Sequence, residues 1–195
     1  MYKQLKNYVG VGLLTIGLLT LGSCGGSKSS TKVTPPNDEV EVNVLCSGPE
    51  YQSDATALRF SAISSSMDQM TAKKKALSEA RAGLAAQIET TLKGVIDNYL
   101  KSAEHQNRED LEKRYEGLTR EVINQQLTGT RTICEKMTKT KEGTYKSYVC
   151  IELGGPEILN SLNNRLSKDE QLKIDYDYEK FKKTFEEEMS KAGNN

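Results

Sequence analysis

From Met70 to Leu100 apolar side chains recur every three or four positions, at Leu77, Ala80, Leu84, Ile88, Leu92, Val95 and Tyr99, the period of one helix face. The stripe predicts a long helix with one side buried. Its first half is lined with small residues, Ala72, Ala76, Ala80, Ala82, Gly83, Ala85 and Ala86. Alanine is simply a strong helix former, but so little side-chain bulk also lets the helix lie close to a sheet or to another helix. Upstream, Val40, Val42 and Val44 alternate with Glu39, Glu41 and Asn43. That period of two predicts a short strand with one buried face, entering the domain. Cys46, Ser47, Gly48 and Pro49 break it, and Ala57 to Ser65 predicts a second strand with Leu58, Phe60 and Ala62 on one side. Ser66 or Asp68 caps the long helix, and Gln69 is placed to close a capping box on Ser66.

Beyond Leu100 a polar connection runs from Lys101 to Asn107 and carries the only histidine, His105. Asn107 can cap a second helix whose apolar positions are Leu111, Tyr115, Leu118 and Val122. The threonine-rich run from Leu127 to Thr140 favours a strand. Lys141 to Thr144 supplies turn chemistry before Tyr145 to Leu153, so the two strands form a hairpin. Gly154, Gly155 and Pro156 end it, and a short helix follows with Ile158, Leu159, Leu162 and Leu166. The last segment, from Ser167 or Lys168 to Ala192, sets Ile174, Tyr178, Phe181, Phe185 and Met189 on one stripe. Such a stripe is usually core contact. A partner protein and then the lipid surface are the alternatives, the latter last because basic residues do not dominate the polar face.

The amino end has a different character. Lys3 and Lys6 precede an apolar run, Tyr8 to Leu21, too short to span a bilayer permanently and patterned like a secretory signal peptide. Leu21, Gly22, Ser23 and Cys24 then match the bacterial lipobox, an apolar residue, two small residues and a cysteine. In proteins with this motif the cysteine is acylated and becomes the new N-terminus. Each buried methylene adds roughly 0.8 kcal/mol of membrane affinity, so several acyl chains anchor a protein where one does not. Cys24 is accordingly the expected lipid attachment site, with residues 1–23 as signal peptide. Residues 24–39, rich in Gly, Ser, Thr and Lys and closing on Pro35 and Pro36, read as a flexible tether. The run GGSKSS within it is no phosphate loop, because neither a strand before it nor a helix after it makes backbone amides converge. In lipoproteins that this region resembles, the absence of Asp after the lipid cysteine implies the outer membrane, and the absence of an acidic run implies the periplasmic side.

At 195 residues the chain is one domain by size, with an α+β domain over residues 40–166 and an amphipathic helix over 167–195. Formal charge balances at zero. A neutral, mixed surface argues against a nucleic-acid binder, which needs a basic footprint.

Three cysteines besides Cys24 remain, Cys46, Cys134 and Cys150, and export permits disulfides. Cys134 and Cys150 lie on the two arms of the hairpin, nearly equidistant from its turn, which favours pairing them with each other. Cys46 is the alternative partner for either, and all three reduced is the third arrangement. No metal site or cofactor is expected, since the cysteines are far apart and one histidine cannot complete the usual ligand sets. His105 in its charged connector lacks the oriented surroundings of a general base. Asp175, Asp177 and Glu179 imitate the start of a calcium loop but lack its glycine and its final acid. Glu186, Glu187 and Glu188 are consecutive, point around the helix and are expected to solvate it.

The glycine- and serine-bearing strand, the helix carrying Ala72, Ala76, Leu77, Ala80, Arg81, Leu84, Ala85 and Ile88, and the hairpin ending in YVCIEL together resemble small bacterial lipoproteins of the Lpp-twenty type. The same order is similar to the N-terminal module of the flagellar T-ring protein. The resemblance covers roughly Phe60 to Leu153. It implies a compact α+β fold, a small antiparallel sheet packed by the long alanine-rich helix, here with additional C-terminal helices, and no catalytic residues. The extra C-terminal helix and a threonine in place of an aromatic residue on the first hairpin arm depart from the family pattern. The leading expectation is a non-enzymatic, lipid-anchored envelope protein that binds or scaffolds another envelope component, held to membrane lipid through Cys24. A periplasmic module for a small apolar ligand, held between Leu84, Ile88 and the hairpin, is the alternative, and an envelope hydrolase the third.

Overall fold

The computed structural model describes residues 40, 42–101, 108–170, 172 and 176–193. Cys24, His105, Asn107, Ile174 and Asp175 lie outside them, as do the signal peptide and the whole of the tether. The elements follow in the order β1 (Ala57–Ser66), α1 (Gln69–Lys101), α2 (Arg108–Gln126), β2 (Arg131–Lys139), β3 (Tyr145–Gly154), α3 (Gly155–Leu166) and α4 (Tyr178–Ala192), with 3-10 turns at Pro49–Tyr51 and Leu127–Gly129. The protein is α+β: a small antiparallel sheet in the order β1-β3-β2, with the long helix α1 packed on one face.

Asp68 starts α1. Its carboxylate accepts from the Thr71 amide at 2.7 Å, which satisfies one of the orphan donors of the first turn. Ser66, the other expected cap, instead accepts from the Asp68 amide at 3.2 Å. The small residues then do what their size allows. Ala72, Ala76 and Ala80 are fully buried against the sheet, and a Cβ on Gly83 would stand 2.2 Å from the Phe60 ring. Helix and strand are therefore in close contact along β1. Further along, bulk replaces proximity: Leu84, Ile88, Leu92, Val95, Tyr99 and Leu100 enter the core together with Val149, Ile151 and Leu153 of β3.

The remaining helices close that core. Tyr115 and Val122 of α2, Ile158, Leu162 and Leu166 of α3, and Phe181, Phe185 and Met189 of α4 all belong to it. Three of the expected stripe positions, Phe181, Phe185 and Met189, thus pack on their own domain, while Tyr178 is half-buried outside the core cluster. Tyr99 is the centre of a ring cluster, with Tyr115, Tyr176 and Phe181 at centroid distances of 5.3 to 6.4 Å, and its hydroxyl accepts from the Asp177 amide at 2.8 Å. Asp177 in turn caps α4 by accepting from the Lys180 amide.

Three expectations need correction. Val42, Asn43 and Val44 form no strand; these residues are irregular and lead into a turn at Leu45 and Cys46. Among the described residues β1 pairs with β3 alone, and Val42 to Val44 lie over the sheet beside Ile63, Ser65, Lys146 and Tyr148 instead of along its edge. The first residues of the Leu127 run make a 3-10 turn before β2 begins at Arg131. The last helix begins only at Tyr178, where Asp177 supplies its cap.

Candidate functional site

Two faces of the sheet carry different chemistry because strand side chains alternate. Leu58, Phe60 and Ala62 of β1 and Ser147, Val149, Ile151 and Leu153 of β3 face the helices. Arg59, Ser61 and Ile63 with Tyr148, Cys150 and Glu152 face the other way. The entry segment from Val42 to Thr56 crosses this outer face, and the sulfur atoms and an ion network sit beneath it.

Cys134 and Cys150 are directly opposed in the ladder, as hairpin symmetry predicts. The disulfide nevertheless joins Cys46 to Cys134, with a Cα–Cα distance of 5.6 Å, so the favoured Cys134–Cys150 pairing is corrected to the alternative through Cys46. The reason is the path of the entry segment. Because it does not extend as a strand, it turns at Cys46, whose φ of 58° lies in the left-handed region, and brings that sulfur over the row holding Cys134 and Cys150. Cys150 remains a free thiol, fully buried, with Tyr51 and Tyr148 packed around the three cysteines. It donates to the Tyr51 carbonyl at 3.6 Å. Burial pushes this thiol up from its ordinary value, outweighing nearby hydrogen bonds and the Arg59 charge.

Arg59 holds the second part of the face. Its Nε donates to Glu152 and its Nη1 to Asp54, each at 2.6 Å, while Nη1 also donates to the Gln52 carbonyl at 2.7 Å. Arg131 meets the other Glu152 oxygen at 2.5 Å. Asp54 closes the loop on itself, accepting from the Thr56 hydroxyl and amide and from the Ala57 amide. The Thr56 hydroxyl and then Arg59 hold the Asp54 carboxyl well below the usual carboxylate range. Burial works to raise Glu152, but hydrogen bonds from Arg131 and Arg59 outweigh it and leave this carboxyl lowered. The Asp54 partnership raises the Arg59 guanidinium further. Disulfide and ion network together fasten the entry segment to all three strands.

Beside this network lies a cleft of about 630 Å³, lined by Tyr51, Ser53, Phe60, Gln87, Thr91 and Glu188 among others. Ser53 connects it to the sheet: its hydroxyl accepts from the Arg59 amide and from the Gln87 carboxamide, both at 2.9 Å, and donates to the Arg59 carbonyl at 3.2 Å. The Gln87 Oε1 atom is buried and has no partner among the described residues. Glu188 is not the solvated acid expected of its run, since it accepts from Asn98 at 2.7 Å and packs against Gly94 of α1. Leu84 and Ile88 lie deep in the core, and neither lines this cleft.

Arg59, Asp54, Glu152 and Gln87 escaped sequence reasoning. A signal was present for two of them: Arg59 and Glu152 are charges inside otherwise apolar strands, ALRFSAI and YVCIEL, and adjacent strands commonly pair such charges. Among the described residues no group of three His, Cys, Asp or Glu side chains is placed to hold a metal ion, and no helix is long and apolar enough to cross a membrane. Comparison with known proteins found no matching family model and no curated protein with significant similarity.

Proposed function

We propose that this chain is a lipid-anchored lipoprotein of a Gram-negative envelope, attached through Cys24, with a non-enzymatic α+β domain that binds or scaffolds another envelope component on the periplasmic side of the outer membrane. The lipobox Leu21-Gly22-Ser23-Cys24 behind a short apolar segment carries this reading. Two further observations support it. The disulfide between Cys46 and Cys134 suits an oxidising compartment. The charged side chains of the outer sheet face, Arg59, Asp54, Glu152 and Arg131, are engaged with one another, as in a fastening and unlike a reaction centre. The likeness of Phe60 to Leu153 to the Lpp-twenty lipoproteins belongs to the same proposal.

Processing tests it. Cells expressing the native chain are fractionated with and without globomycin, beside a Cys24→Ser variant. The expected result is a membrane-bound mature protein that becomes a larger precursor with the inhibitor or the substitution. A Cys24→Ser chain that matures to the same size and stays on membranes overturns the proposal.

A further inference from the structure

One end of the domain collects positive charge and exposed apolar side chains. It consists of the start of α1, the end of β1 and the β2–β3 turn. Met67 ties these together: its Sδ accepts from the Thr144 hydroxyl at 3.4 Å, and its methyl lies 3.9 Å from where a Cβ on Gly143 would stand. Lys73 reaches from α1 to Glu135 of β2 at 2.7 Å. Lys139 sits over the Tyr145 ring, 4.7 Å from its centroid. Lys74, Lys75, Lys141 and Lys146 are exposed around them. Lys136 adds a seventh, and against these lysines stand Asp68, Glu79, Glu135 and Glu142, so the described residues of this end are net positive by three on a chain that balances to zero. The apolar content is equally uneven: Met67, Met70 and Ile63 are 70%, 55% and 45% exposed.

The entry of the chain lies at this same end. Val42 and Val44 line a shallow pocket with Ile63, Ser65, Lys146 and Tyr148, next to the last residue pairs before the hairpin turn. Eighteen residues run from Cys24 to Glu41, and a Gly/Ser-rich linker of that length would have a root-mean-square span of roughly 20–25 Å. We infer that this lysine- and methionine-bearing end is a docking surface for an anionic phospholipid leaflet, and that it orients the domain on the bilayer with the α4 end outward. The inference rests on the proposed lipid anchor for the short distance, which gives even a weak surface attraction a high effective concentration. It does not rest on the anchor for its chemistry. Lysines near an anionic surface each raise partitioning roughly fivefold, and methionine side chains enter the headgroup boundary at little cost because they are flexible and polarizable.

The chain has no tryptophan, so Met70→Trp introduces a single reporter at an exposed site. The purified membrane-extracted full chain is reconstituted into vesicles containing brominated lipid, either neutral phosphatidylcholine alone or with 30% phosphatidylglycerol. Its amino-terminal peptide is weighed by mass spectrometry in the same preparation. The expected result is quenching that requires the anionic lipid, weakens with added salt, and falls at least about 25-fold in lipid affinity in Lys141→Glu/Lys146→Glu. Lys113→Glu/Lys183→Glu, on α2 and α4, leaves it unchanged. Absent quenching, equal quenching in neutral vesicles, or a lipid-independent dimer that protects the reporter overturns the docking surface. An unlipidated peptide together with anionic-dependent quenching upholds the surface and overturns the anchor. A lipidated peptide without quenching does the reverse.

Discussion

Cys150 is a thiol beside a disulfide in a protein proposed to be exported, and its environment decides its behaviour. The side chain is fully buried, donates to the Tyr51 carbonyl, and is held as the neutral thiol by desolvation. Since the thiolate is the reactive form, it should resist alkylation. In native, unreduced protein we expect iodoacetamide at pH 8 to leave the Cys150 peptide unmodified; in urea it is modified completely, while Cys46 and Cys134 remain joined in both. Peptide mass analysis reads this directly. Rapid native modification of Cys150 contradicts its burial, and a Cys134–Cys150 linked peptide contradicts the path of the entry segment. The linkage sign follows from the raised value: the neutral thiol's contribution is complete below the ordinary value of 9.0 and is lost as pH rises through the folded one.

At the scale of elements, the contact between β1 and α1 depends on one missing methyl group. A Cβ on Gly83 would meet three atoms of the Phe60 ring at 2.2 to 2.6 Å, whereas an exposed helix glycine normally gains up to about 1 kcal/mol on becoming alanine. The clash is the larger effect, because displacing an aromatic ring costs about 1–3 kcal/mol. Gly83→Ala should therefore lower stability by about 1–2 kcal/mol in urea unfolding, and in a Phe60→Leu background the same change should be neutral or stabilising. An equal loss in both backgrounds would detach the effect from the ring. The alanine stripe of α1 made this closeness legible in advance, as periodicity did for α1, α2, β1, the hairpin and α3. What stayed hidden depends on long-range geometry. Val42 and Val44 alternate as a strand does, yet their segment runs over the outer face of the sheet beside Ile63 and Tyr148, and Cys46 finds Cys134 because that segment turns across this face. Hairpin symmetry correctly opposes Cys134 and Cys150, but opposition in a ladder does not decide which sulfur a third segment delivers. Arg59 and Gln87 could not be placed because their partners, Asp54, Glu152 and Ser53, are brought together by β1–β3 pairing and by the entry loop.

For the molecule as a whole, the entry segment is the part that most needs fastening, since it contributes few apolar side chains to the core and joins the domain to its proposed tether. The disulfide spans a sequence separation of 88 residues, a closure worth about 4–5 kcal/mol on the chain-entropy account. Charge provides the second fastening, and charge makes it depend on pH. Asp54 and Glu152 both have lowered carboxyl values, so their contribution is complete above the ordinary values of 3.8 and 4.5 and is lost as pH falls below them toward the folded values. Stability to urea should accordingly be level from pH 7 to about pH 5 and decline steeply below pH 4. Glu152→Gln removes one charged partner from two arginines, which costs about 2 kcal/mol at pH 7 for charge-assisted hydrogen bonds at a partly buried site, and it should flatten the acid decline. Urea midpoints of native and Glu152→Gln protein at pH 7 and pH 3 test this. Parallel losses in the two proteins would show that acid acts elsewhere, and an undiminished midpoint for the variant at pH 7 would show that the disulfide holds the entry segment without the Arg59 network.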